Sequence, residues 1–202
     1  GKYMRTTLGA STGIYTNLSL SFTFQNRDAT TTSFSVKDWS GNLNDGNNNG
    51  ASGYDQTNRP SSTIALNDCV KLDGIDDYFF AADNADVSPT LAVTLEAWIR
   101  RDTTGTQPND QYIISKSGGT NRFGYALWLN SSTGILKFKI NSVTGPSGII
   151  SLGAIQTAQW THVAATYNSL TGIARLFING NYSNGGFFSG SPLIQNDPDN
   201  LY

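Results

Sequence analysis

Val93-Thr94-Leu95-Glu96-Ala97-Trp98-Ile99 alternates its side chains at a spacing of two, with Leu95, Ala97 and Ile99 on one side and Glu96, Trp98 and Arg100 on the other. Thr161-His162-Val163-Ala164-Ala165-Thr166-Tyr167 repeats the pattern, Val163 and Ala165 opposing His162, Ala164 and Thr166. Successive side chains of an extended chain point to opposite faces, so both segments read as strands with one buried side. Two such strands suit packed sheets whose inner faces share a core.

Working outward, similar runs recur at short spacing between Gly, Asn, Asp, Ser and Pro punctuation. Leu18-Ser19-Leu20-Ser21-Phe22-Thr23-Phe24 alternates at period two, and further strands are expected at 68–72, 76–82, 91–100, 111–116, 123–130, 134–141, 148–153, 159–167 and 173–179. Residues 31–67 are polar and Gly/Asn-rich and read as one long irregular segment. Asn130–Gly134 and Asn168–Gly172 have hairpin composition, and Asn179-Gly180 suits a type I′ turn, pairing Ile173–Ile178 with the residues after Asn181. No window sustains a 3.6-residue apolar period. The expectation is an all-β, two-sheet antiparallel β-sandwich with nearly no helix.

The 202 residues fit one large all-β domain. Charged residues make up 14% of the chain, against about 25% in ordinary soluble domains, and Ser, Thr, Asn and Gly take their place. Net charge is −2, and no Lys/Arg run is longer than Arg100-Arg101. A phosphate-tracking surface for nucleic acid is therefore not expected, nor attraction to an anionic membrane. No stretch approaches the roughly 20 apolar residues that span a bilayer. Cys69, the only cysteine, cannot pair within the chain and reads as a small buried hydrophobe. Sequons stand at Asn17, Asn130 and Asn181.

Four segments, in order, carry a resemblance. Asp38-Trp39-Ser40-Gly41-Asn42-Leu43-Asn44-Asp45-Gly46 is similar to a D-x-S-G-N-x-N-D-G loop. Val70-Lys71-Leu72-Asp73-Gly74-Ile75-Asp76-Asp77-Tyr78 matches a strand and turn, and Val93–Ile99 matches F-T-L-E-A-W-V. Gln159–Tyr167 is followed by Ala174-Arg175-Leu176-Phe177-Ile178-Asn179-Gly180. Together these resemble the laminin G-like, concanavalin A-like jelly-roll domains. The resemblance implies a jelly roll over residues 1–202, usually closed by a further strand. Nothing like that strand follows Asn200-Leu201-Tyr202. Residues 187–202, with Pro192 and Pro198, are expected to cross the sandwich without closing it. One domain, incomplete at its C-terminal end, is expected, with the chain continuing past Tyr202 or another chain pairing with the open edge. Gly1 likewise reads as the start of a processed or longer polypeptide.

Relatives of this fold hydrolyse polysaccharides, and a glycosidase needs two carboxyls about 5 Å or 6.5–9.5 Å apart. Glu96 is the only glutamate and His162 the only histidine. No G-x-S-x-G exists, and one His with one Cys cannot build a zinc site. Both residues read as parts of a sheet face, and the chain reads as no enzyme.

Calcium is the ligand that the oxygen-rich loops favour. Asp45-Gly46-Asn47-Asn48-Asn49-Gly50 opens like an EF-hand loop, but position twelve is Gln56 and no helices flank it. The resemblance implies instead a structural calcium at Asp38 with backbone oxygens near Gly41 and Asn44. The alternative is that Asp38 and Asn44 make Asx-turns. For glycan recognition, rings that stack on sugar faces are Trp39, Tyr54, Tyr112, Tyr125, Trp128 and Tyr182, in or beside loops, while Trp98 and Trp160 fall in signature strands and read as core. The expected function is an extracellular, cell-surface or virion-surface module binding glycans or protein partners, supported by calcium. The same fold as a subunit of a larger assembly, contacting copies of itself, is the alternative.

Overall fold

The computed structural model describes residues 2–3, 35–36, 38, 40–50, 54–55, 69–101, 109–117, 123–142 and 145–202. The expected strand at 18–24 lies outside these residues. Among the described residues there are fourteen strands: β1 Lys2–Tyr3, β2 Ser35–Val36, β3 Gly46–Asn49, β4 Tyr54–Asp55, β5 Cys69–Val70, β6 Tyr78–Phe80, β7 Ala92–Arg100, β8 Gln111–Ser117, β9 Phe123–Leu129, β10 Ile135–Ser142, β11 Gly145–Ala154, β12 Trp160–Asn168, β13 Ile173–Ile178 and β14 Asn181–Phe187. The one helical piece among the described residues is a 3-10 turn at Ala85–Val87.

One sheet runs β14-β13-β12-β7-β1-β5-β4, a second β11-β10-β9-β8, and a third β2-β3-β6, and these strands pair with one another antiparallel. At the centre of the first sheet β7 and β12 pair without interruption from Ala92↔Asn168 to Arg100↔Trp160. Val93, Leu95, Ala97 and Ile99 bury one side of β7, and Thr161, Val163, Ala165 and Tyr167 bury one side of β12. Leu127, Leu129, Leu136, Phe138 and Ile140 of the second sheet complete the core. The two-layer sandwich and its alternation are as the sequence predicts.

The turns follow their chemistry as well. Asn179 and Gly180 both have positive φ, 50° and 77°, the backbone that a type I′ turn requires. Gly134 N–H donates to the Asn130 carbonyl at 2.9 Å, closing the β9–β10 hairpin.

One expectation is corrected. Residues 31–67 are not one irregular stretch, because β2, β3 and β4 lie within them and β3 pairs with both β2 and β6. This also disposes of the EF-hand match, whose Gly46–Asn49 are strand. Alternation of Asn with Asn carries no hydropathy signal, so the strand is invisible to a periodicity reading. The end of the chain also pairs. Leu201 exchanges both backbone hydrogen bonds with Ala81 (2.8 and 3.0 Å), and Tyr202 does the same with Ser115 (2.7 and 2.8 Å). Leu201–Tyr202 thus lies as a strand rung between β6 and the β8 edge, joining the second and third sheets.

Lys116 of β8 anchors that pairing. Its side chain is 1% exposed, and its ammonium donates to the Asp83 carboxylate at 2.6 Å, to the Asp197 carbonyl at 2.8 Å and to the Asp199 carbonyl. A buried ammonium is tolerated only when its donors are matched, as they are here. The bond from Lys116 holds the Asp83 carboxyl below its ordinary value of 3.8. A carboxyl depressed on folding contributes stability above its unfolded pKa and loses it as pH falls through the folded value. Lys116→Met should orphan the two tail carbonyls at about 1–3 kcal/mol apiece. Urea denaturation should show a lower midpoint at pH 7 for this variant, and a gap from wild type that narrows as pH drops below 4.

Candidate functional site

Alternation also decides what the second sheet shows to solvent. With Leu127 and Leu129 inside, Trp128 points outward; with Leu136, Phe138 and Ile140 inside, so do Lys137 and Lys139. Register places them side by side, since Tyr112 faces Trp128 across β8–β9 and Trp128 faces Lys137 across β9–β10. The Tyr112 and Trp128 rings stack, with centroids 5.9 Å apart and planes 17° from parallel. The Lys137 and Lys139 ammonium groups lie 5.8 and 5.6 Å from the Trp128 ring centre, within cation–π reach.

Asp110, just before β8, fixes this arrangement. One oxygen accepts the Trp128 indole N–H at 2.9 Å; the other accepts the Asn130 side-chain amide at 3.1 Å and the Ser131 backbone N–H at 2.9 Å. The indole is thereby locked to the β9–β10 turn. Lys137 comes only to 4.0 Å from the same carboxylate. At that turn Arg101 donates to the Ser131 carbonyl. Desolvation, then the charge of Asp110, raises the Tyr112 hydroxyl pKa, so the phenol stays neutral. Desolvation lowers that of Lys139.

Of the predicted ring residues, the structure brings together two, Tyr112 and Trp128, with Tyr112 40% exposed. Tyr125 must be corrected: it is 3% exposed, its hydroxyl donates to the Val87 carbonyl at 2.7 Å, and it has no face for a ligand. It sits close to a loop in the sequence, but strand parity turns it inward with Leu127. Tyr182 is 61% exposed on β14, edge-on to Phe177, on the other sheet. Trp39 lies outside the described residues; Tyr54 lies in β4, its side chain outside them.

The first sheet presents a second polar face. Trp98 is half-buried, packed against the core cluster and against the His162 ring at 5.4 Å, and His162 Nε2 lies 3.7 Å from a Glu96 oxygen. The His162 imidazole beside it holds the Glu96 carboxyl below its ordinary value despite partial desolvation. A glycosidase acid needs the opposite shift.

The Asp38 loop closes on itself. The Asp38 carboxylate, almost fully buried, accepts the Ser40 backbone N–H at 2.8 Å, the Ser40 hydroxyl at 2.7 Å and the Asn44 backbone N–H at 3.0 Å. Its own N–H donates to Asp45 at 2.9 Å, while Gly41 supplies a φ of 95° and the Asn44 side-chain oxygen accepts from Asn84. These donors aim positive partial charge at the oxygens a calcium ion would need, so the donor set fits an Asx-turn better than an ion. A metal-capable group stands instead at Asp73, Asp76 and Asp77, whose carboxylate oxygens lie within 4.8 Å of one another. The close spacing of three aspartates in one turn is the sequence signal that could have found it. Backbone donation, chiefly from Ile75, lowers the Asp73 pKa.

Among the described residues no helix is long and apolar enough to cross a membrane. No curated protein sequence matches the chain. The botulinum neurotoxin serotype D binding domain superposes with a TM-score of 0.59 at 21% identity, covering 91% of this chain and 42% of that one. Domain 4 of AbnA, a GH43 extracellular arabinanase from Geobacillus stearothermophilus in complex with arabinotriose, superposes with a TM-score of 0.54 at 17% identity, covering 91% of this chain and 89% of that one. The chain thus spans about two fifths of the neurotoxin chain. At these identities the likeness is one of fold. Residues 73–202 match the family described as the concanavalin A-like lectin/glucanases superfamily. That match takes in the β7–β12 ladder and the Tyr112–Trp128 face alike, and the chain belongs to this superfamily.

Proposed function

We propose that this chain is a non-catalytic recognition module whose Tyr112–Trp128 face takes a saccharide. The observation that carries this is an outward aromatic pair whose indole is already fixed by Asp110. Apolar sugar faces stack on such rings, and a ring held before binding loses little further freedom on complex formation. The arabinotriose complex of the arabinanase domain and the neurotoxin binding domain favour recognition over chemistry. The depressed carboxyl of Glu96, the only glutamate, favours it also. The module acts at a surface outside the cell, on a glycan or a glycan-bearing protein.

Titrating the protein against oligosaccharides drawn from a glycan array should show binding that weakens at least tenfold in Tyr112→Ala. Melting of that variant should stay near wild type, because the ring is at the surface. Binding that ignores Tyr112→Ala, or self-association as the only interaction seen, would overturn the reading.

Calcium is not required for this reading. Asp38→Ala removes an acceptor from three donors and should lower the melting temperature equally in calcium and in chelator. A calcium-dependent rise in the wild type that vanishes in Asp38→Ala would instead put an ion at Asp38, Gly41 and Asn44.

A further inference from the structure

The chain carries a net charge of −2, yet among the described residues the face around Trp128 is cationic, with Lys137 and Lys139 on the ring and the Asp110 carboxylate beside them. That carboxylate is largely spent, since it accepts from the Trp128 indole, the Asn130 amide and the Ser131 N–H. Lys137 reaches it at only 4.0 Å, too long for a hydrogen bond, and so keeps ammonium donors for another acceptor.

Placement sharpens this. Lys137 and Lys139 are two residues apart on one strand, so both stems rise from the same face, about 7 Å apart along it. Lys137 is opposite Ile150, and Lys139 is opposite Gly148, where a Cβ would come within 3.2 Å of the Lys139 Cβ. A side chain at 148 would therefore crowd Lys139, and glycine leaves room for it. Arg101 adds a third cation at the adjoining turn.

Resting on the saccharide reading above, we propose that the ligand is an acidic glycan, its ring on Tyr112 and its carboxylate or sulfate on the ammonium groups of Lys137 and Lys139. The lysines hold the anion and the rings hold the sugar, so the two contributions separate by mutation. A neutral saccharide would meet the rings alone and bind more weakly. The carboxylate and sulfate sources share this chemistry and differ in charge and shape, so both are tested.

Isothermal titration at low salt should compare hexagalacturonate with its fully methyl-esterified form, and a sulfated galacto-oligosaccharide with its unsulfated backbone. At least one acidic member should bind ten times or more tighter than its neutral partner, with the gap shrinking as salt rises. The double variant Lys137→Gln/Lys139→Gln should abolish the gap and keep the neutral affinity. Arg175→Gln, an exposed cation on the other sheet, should leave the gap intact. Equal binding of acidic and neutral partners, or a preference surviving the double variant, would overturn the proposal while leaving the saccharide reading standing. Tyr112→Ala should weaken both partners; if neither binds at all, the saccharide reading falls with it.

Discussion

Every residue that an extended chain turns inward obliges its neighbours to turn outward, and this period of two governs the molecule. The uninterrupted β7–β12 ladder commits Leu95, Ala97, Val163 and Ala165 to the core. Burying them is favourable by roughly 25 cal/mol for each Å² of apolar surface withdrawn from water, and a one-residue slip would expose all of them at once. The same rule in β9 and β10 buries Leu127, Leu129, Leu136 and Phe138 and places Trp128, Lys137 and Lys139 on the outer side. The recognition face is thus the reverse side of the core.

Rigidity comes from polar groups in fixed positions. Asp110 ties the indole of Trp128 to a hairpin turn, and Lys116 ties Asp83 to the C-terminal residues that bridge two sheets. Each charge has matched hydrogen-bond partners, the condition under which a buried or half-buried ion stabilises. Neither depends on a neighbour in the sequence alone, since Lys116 reaches across to residues 197 and 199.

Legibility follows the strength of the periodic signal. Long strands such as β7 and β12, and turns such as Asn179-Gly180, declare themselves through alternation and positive φ. The Asn-rich β3 does not, because its residues differ little in hydropathy, and Leu201–Tyr202 is too short to show a period. At the site, Tyr112 and Trp128 are individually visible as ring residues near loops, but Tyr125 looks the same. Only strand parity separates them, and parity at β8 is shifted by a bulge between Tyr112 and Ile114. Asp110 and the two lysines carry no motif at all; cross-strand register alone brings them to Trp128. The family resemblance, by contrast, directs attention to the Asp38 loop, whose carboxylate is occupied by donors of its own loop.

The four tryptophans give the most direct measurement. Each indole N–H yields its own resonance in a nitrogen-proton correlation spectrum, and that of Trp128 is identified by its loss in Trp128→Phe. During titration with an acidic oligosaccharide that binds, the Trp128 resonance should shift progressively to saturation while those of Trp98 and Trp160 hold still. Shifts at Trp98 or Trp160 with Trp128 unmoved would place the ligand elsewhere and contradict the account.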